Sequence, residues 1–174
     1  MRQFPTKRYL VTLCFLLATT ACQPSEDPPA LQPDEVAVPF ETVVLDEEGE
    51  NLEIEKERQL LVLTEPSDVA QVQPLISTEA VQQVQQVDFT IYNVIALFHP
   101  LGAGCAGLGV TIERLTLKND TLTVYANLWR PPSGHACAEE GIFSPYHLVK
   151  VRKANGRLDE LELVLQSQVV EKKS

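Results

Sequence analysis

Four side chains in this sequence are the most capable of chemistry: His99, Cys105, His135 and Cys137. Imidazole and thiolate together suit zinc or copper. Metal centres of that kind usually draw ligands from close pairs such as Cys-x-x-Cys or His-x-x-x-His. Neither spacing occurs, and His135-Ala136-Cys137 is the tightest grouping. Metal binding through these four residues therefore stands as an alternative reading. A cysteine nucleophile with His135 or His147 as base is a second chemistry. It calls for a lone cysteine, whereas Cys105 and Cys137 form a matched pair. A third pattern, Gly102-Ala103-Gly104-Cys105-Ala106-Gly107, spells GxGxxG. A dinucleotide fingerprint must open a helix, but residues 108–117 alternate like a strand. No acid–base pair stands at a spacing that demands catalysis. The chain is read as non-enzymatic, with no cofactor and no metal.

The cysteine pair fits a disulfide better. Lys118-Asn119-Asp120 supplies a tight turn between two alternating segments, since Asn and Asp tolerate positive φ. If that turn centres on Asn119 and Asp120, residues whose numbers sum to about 239 face each other. Position 105 then faces a point a few residues short of Cys137. A bridge there would tie loop 99–107 to loop 130–142, worth ~3.5 kcal/mol in the chain-entropy model. Cross-linked loops lose less entropy on binding. The expected binding elements are therefore Gly102, Gly104 and Gly107 in the first loop. In and beside the second they are Trp129, Arg130, Pro131, Pro132 and His135. Direct protease inhibition through loop 130–142 is a further alternative.

The other two cysteines belong to the N-terminus. Arg2, Lys7 and Arg8 precede a short apolar run, and small residues lead to Cys22. These are the parts of a signal peptide, here residues 1–21, with Cys14 inside it. Ala21-Cys22 matches the end of a bacterial lipobox, so Cys22 is the expected lipidation site. Thr19-x-Ala21 also fits ordinary signal-peptidase cleavage. Residues 22–35 hold four prolines and four acids, which cannot build a core. They read as a tether reaching roughly 40 Å at polyproline spacing. Localisation follows as the bacterial cell envelope, facing the periplasm. Gln23 lacks the aspartate tied to inner-membrane retention, which favours the outer membrane.

Loss of the leader leaves eleven bases against 24 acids, a net charge of −13. So acidic a surface excludes nucleic acid as a partner and is not drawn to anionic lipid heads. Contact with the membrane is then through the lipid alone.

The elements that must position the two loops lie between residues 36 and 170, a length suited to one domain. Val38, Phe40, Thr42 and Val44 share one face of a first strand. The carboxylate-rich stretch 46–58 lacks calcium-loop spacing and reads as a solvated turn. Residues 60–63 form a second strand. Residues 68–76 and 78–87 read as short helices capped by Ser67 and Ser77. The second carries Ala80, Val84 and Val87 on one face and a cluster of glutamines, Gln82, Gln83, Gln85 and Gln86, on the other. Residues 94–98 are continuously apolar, as in a strand covered on both faces. Leu108, Val110 and Ile112 alternate, as do Leu122, Val124, Ala126 and Leu128. Asn155-Gly156, between residues 146–152 and 158–165, is a strong hairpin signal. The expectation is an α+β fold: a mostly antiparallel sheet built from hairpins, with two short helices packed on it.

Several of these segments resemble the PrcB C-terminal domain family across about residues 60–153. They are Val87-Asp88-Phe89, the run Val94 to Phe98, the glycine-rich turn, Gly109-Val110-Thr111-Ile112 and Pro145-Tyr146-His147-Leu148-Val149-Lys150. The last is the most specific. The chain has Gly107-Leu108-Gly109-Val110 where that family often carries Gly-Gly-Tyr. The resemblance implies a bacterial envelope lipoprotein supporting a secreted protease as an accessory module. It carries over no catalytic residue. The combined expectation is a protein-binding or protease-complex accessory module with an envelope protein as partner.

Overall fold

Two four-stranded sheets and a pair of short helices stack in three layers. The structure, a computed structural model, describes residues 30–31, 33–46, 59–99, 102–105, 108–130, 140–153 and 158–171. The signal peptide with Cys14, Cys22 and most of the tether lie outside the described residues. So does the acidic turn beyond Asp46. Among the described residues no helix is long and apolar enough to cross a membrane.

The strands are β1 (Val36–Ala37), β2 (Phe40–Asp46), β3 (Gln59–Leu63), β4 (Tyr92–Phe98), β5 (Gly102–Cys105), β6 (Gly109–Lys118), β7 (Thr121–Arg130), β8 (Glu140–Phe143), β9 (Tyr146–Arg152) and β10 (Glu162–Glu171). The helices are α1 (Val69–Val72) and α2 (Thr78–Gln85). The inner sheet runs β2-β9-β4-β3, the outer sheet β1-β6-β7-β10, and β5 pairs with β8 in a separate ribbon. The class is α+β with mostly antiparallel sheets; the β7–β10 pair is parallel.

The continuous apolar run of β4 has a direct cause. Val94, Ala96 and Phe98 pack under the helices with Val72, Ala80 and Val84. Ile95 and Leu97 point the other way, against Val110, Leu115, Val124 and Val149 between the sheets. Val94 through Phe98 are all at most 1% exposed, so this strand has no solvent face to encode. The outer sheet shows alternation instead: Leu122, Val124, Ala126 and Leu128 face the inner sheet. β6 and β7 pair antiparallel across Asn119-Asp120, with Lys118 opposite Thr121 and Asn119 at φ 52°.

α2 begins as the sequence predicts, with the Ala80 amide donating to Ser77 Oγ at 3.2 Å. Ser67 does not cap the preceding segment. It sits inside a 3-10 turn, Pro66–Asp68. The capping acceptor is Asp68, which receives the Thr64 amide at 2.7 Å and the Glu65 amide at 3.1 Å. Partial burial works to raise the Asp68 carboxyl, but these donors outweigh it and hold it below its ordinary value.

Two expectations are corrected by the sheet geometry. The first strand does not keep one face. A bulge at Val43 lies between the pairs Thr42–Val149 and Val44–Leu148. Phe40 therefore packs between the sheets while Val44 packs beneath the helices. The second hairpin does not form either. Both sides of β9 are taken, by β2 and β4, so β10 has no edge to join there. Leu158, 2% exposed, inserts between the sheets, and the Glu162 amide donates to Asp120 O at 2.9 Å. β10 thus crosses to the outer sheet, where Leu163 and Leu165 pack on the inter-sheet core. Residues 154–157, with Asn155 and Gly156, lie outside the described residues.

Candidate functional site

The two loops expected to bind a partner are joined by backbone pairing. Gly102 lies opposite Phe143, Gly104 opposite Gly141 and Cys105 opposite Glu140. The ribbon continues the central β4–β9 pair of the inner sheet. Phe98 is opposite Tyr146, and the His99 amide donates to Pro145 O at 2.9 Å. Ser144, fully buried, sits at the root. The GxGxxG stretch therefore feeds a strand, and the residues after it form β6, not a helix. Gly107, Pro131, Pro132, His135 and Cys137 lie outside the described residues, and so does the expected Cys105–Cys137 bridge. Trp129 and Arg130 end β7. Among the described residues no group of three or more His, Cys, Asp and Glu could hold a metal ion.

His147 is not placed to serve as a base. It lies 3% exposed between the two sheets. Its Nδ1 accepts the Ile112 amide at 2.8 Å, so the lone pair is spent there. The neutral ring then carries its proton on Nε2, which stands 2.9 Å from Thr42 Oγ1 and donates to it. Removal from water lowers its pKa from 6.5 to about 4. A ring that stays neutral and has both nitrogens engaged is a structural bridge.

A polar groove opens where the inner sheet emerges from beneath α2. Its cavity, about 430 Å³, is lined by Val43, Gln83, Gln86, Asp88, Tyr92 and Lys150. A smaller neighbour of about 170 Å³ shares Tyr92 and Lys150 and adds Glu41 and Arg152. Lys150 Nζ lies 5.0 Å from the centre of the Tyr92 ring and 2.8 Å from Glu41 Oε2. The Glu41 carboxylate raises the lysine pKa and keeps it charged. The glutamine cluster thus divides: Gln83 and Gln86 wall this groove. Tyr146 ties the helix layer down behind it, its hydroxyl donating to Ser77 Oγ at 3.3 Å. Burial, the largest influence, raises the Tyr146 pKa.

Lys150 closes the Pro145 to Lys150 motif singled out in the sequence. Tyr92 carries no such signal, because only the pairing of β4 with β9 brings it beside Lys150. No family model, curated protein or solved structure matches the chain.

Proposed function

We propose that this protein is a non-enzymatic envelope lipoprotein whose domain binds another envelope protein, as an accessory module of a protease complex. Cys22 carries the lipid, residues 22–35 form the tether, and Cys105 with Cys137 forms the cross-link. The observation that supports the reading is the β5–β8 ribbon. Two loops 35 or more residues apart in sequence pair into one arm, and that arm grows from the two central strands of the inner sheet. A recognition element on a rigid root loses little entropy when it engages a partner. The groove around Lys150 and Tyr92 lies on the same sheet and supplies a second contact region.

The test is site-specific photo-cross-linking in the envelope. A cross-linker at Ala103 or Ile142 should capture one discrete protein, and a cross-linker at exposed Glu160 should not. Absence of a discrete adduct at both arm positions, or an equal yield at Glu160, would refute the proposal.

A further inference from the structure

The outward face of the outer sheet carries a second, chemically different surface. Register sets its rows. Gly109, Trp129 and Val170 form one row; Thr111, Asn127 and Gln168 the next; Arg114, Tyr125 and Gln166 a third. A bulge at Glu113 separates the second and third rows on β6.

Trp129 is held in one pose. The indole lies along β6 over Gly109, where a Cβ would stand 3.4 Å from Trp129 Cδ1, at van der Waals contact. Its Nε1 donates to Thr111 Oγ1 at 2.9 Å, and Thr111 Oγ1 donates to Glu113 Oε1 at 2.6 Å. The pyrrole edge is pinned, and the residue stays partly exposed. Beside it is a shallow cavity of about 190 Å³ lined by Glu113, Tyr125, Asn127, Gln166 and Gln168. Gln168 Nε2 donates to Asn127 Oδ1 at 2.9 Å, which orients both amides.

The third row has an unmet demand. Arg114 stacks on Tyr125 with its guanidinium carbon 4.2 Å from the ring centre. Its Nε and Nη2 are shielded and meet no hydrogen-bond acceptor among the described residues. These two N–H groups share one edge of the guanidinium, the edge that takes two adjacent oxygens at once. Leaving them unpaired is costly.

We propose that this face binds a saccharide chain. A sugar ring offers an apolar C–H face for a fixed indole and adjacent oxygens for a guanidinium fork. Its hydroxyls both donate and accept, so they suit side-chain amides, which do the same, and a carboxylate, which accepts. Tyr125, only 6% exposed, is the base on which Arg114 stacks. That guanidinium and the Trp129 indole stand about four residues apart along the strand, roughly 13 Å, which fits a chain of linked rings better than a single one. A polyanion is a poor candidate, because Glu113 lines the cavity and the mature chain carries a charge of −13.

The chain has one tryptophan, so its emission reports on this site directly. The purified full chain is titrated with three probes: the linear trimer of N-acetylglucosamine, cellotriose and a trimer of galacturonate. At least one of the two neutral trimers should give a saturable emission change with a matching calorimetric heat, and the anionic galacturonate trimer should bind more weakly or not at all. Asn127→Ala and Arg114→Lys should weaken it about tenfold or more. Gln166→Ala, at an exposed position, should weaken it without lowering Tm, which separates lost contacts from lost folding. No saturable change with either neutral trimer up to roughly 10 mM overturns the proposal. So does undiminished binding by Gln166→Ala and Asn127→Ala together.

Discussion

His147 Nδ1 accepts the backbone amide of Ile112 at 2.8 Å, and this bond stitches the inner sheet to the outer one. β1 covers only Leu117 and Thr116 on that side of β6. The imidazole takes the place of a strand partner for Ile112, and a buried amide that would otherwise be orphaned is satisfied.

That position makes the histidine an acid-sensitive joint. Its folded pKa of about 4 lies below the ordinary 6.5, so the unfolded chain takes up the proton first as pH falls. The stability it contributes is complete above about pH 6.5. It is lost progressively down to about pH 4, a total of roughly 3 kcal/mol. Urea unfolding at pH 7 and pH 4.5 should show this loss. His147→Gln keeps one acceptor and one donor but cannot titrate, so its loss over the same interval should be smaller. Parallel pH curves for the two proteins would remove the histidine from the account.

Leu158 directs the crossing of the chain from one sheet to the other. It is 2% exposed within the inter-sheet core. Leu158→Ala should cost about 2–4 kcal/mol, measured by chemical denaturation. Amides of β10 should also lose protection from hydrogen exchange ahead of those of β9. A cost below about 1 kcal/mol would mean that another contact holds the crossing.

An intact mass of the purified protein reads out the cysteines together. Lipidation at Cys22 should add acyl groups to a chain lacking residues 1–21. A Cys105–Cys137 bridge should make the mass two hydrogens light, restored by reductant. Reduction should then lower stability by ~3.5 kcal/mol in the chain-entropy model. A mass carrying metal, with both thiols retained, would favour the metal alternative instead.

The sequence is most legible where a single residue pattern has a single structural cause. The apolar run in β4 announces burial on both faces, and the alternation in β7 announces burial on one. Ser77 and Asn119 act locally, and both serve as their residue types suggest. Legibility fails where the answer depends on what is already occupied. Asn155-Gly156 signals a turn, but no local feature shows that β9 is flanked on both sides. The bulges at Val43 and Glu113 are equally silent, and each changes which side chains share a face. The candidate sites suffer for the same reason. Lys150 meets Tyr92, and Trp129 joins Asn127 and Gln168, only through register set by whole sheets.

The short β1 has a mechanical consequence. Ahead of β2 the described chain is held to β6 and β7 by the pairing of β1 and by further polar contacts. Among them are the Val38 amide to Leu115 O, Asp34 to Lys118 at 2.8 Å, and Tyr125 Oη to Glu35. Tension applied at the N-terminus meets these few bonds before it reaches β2, which is paired along most of its length with β9. The entry strand would peel first, while the three stacked layers stay whole. This domain yields at its entry strand before it yields at its core.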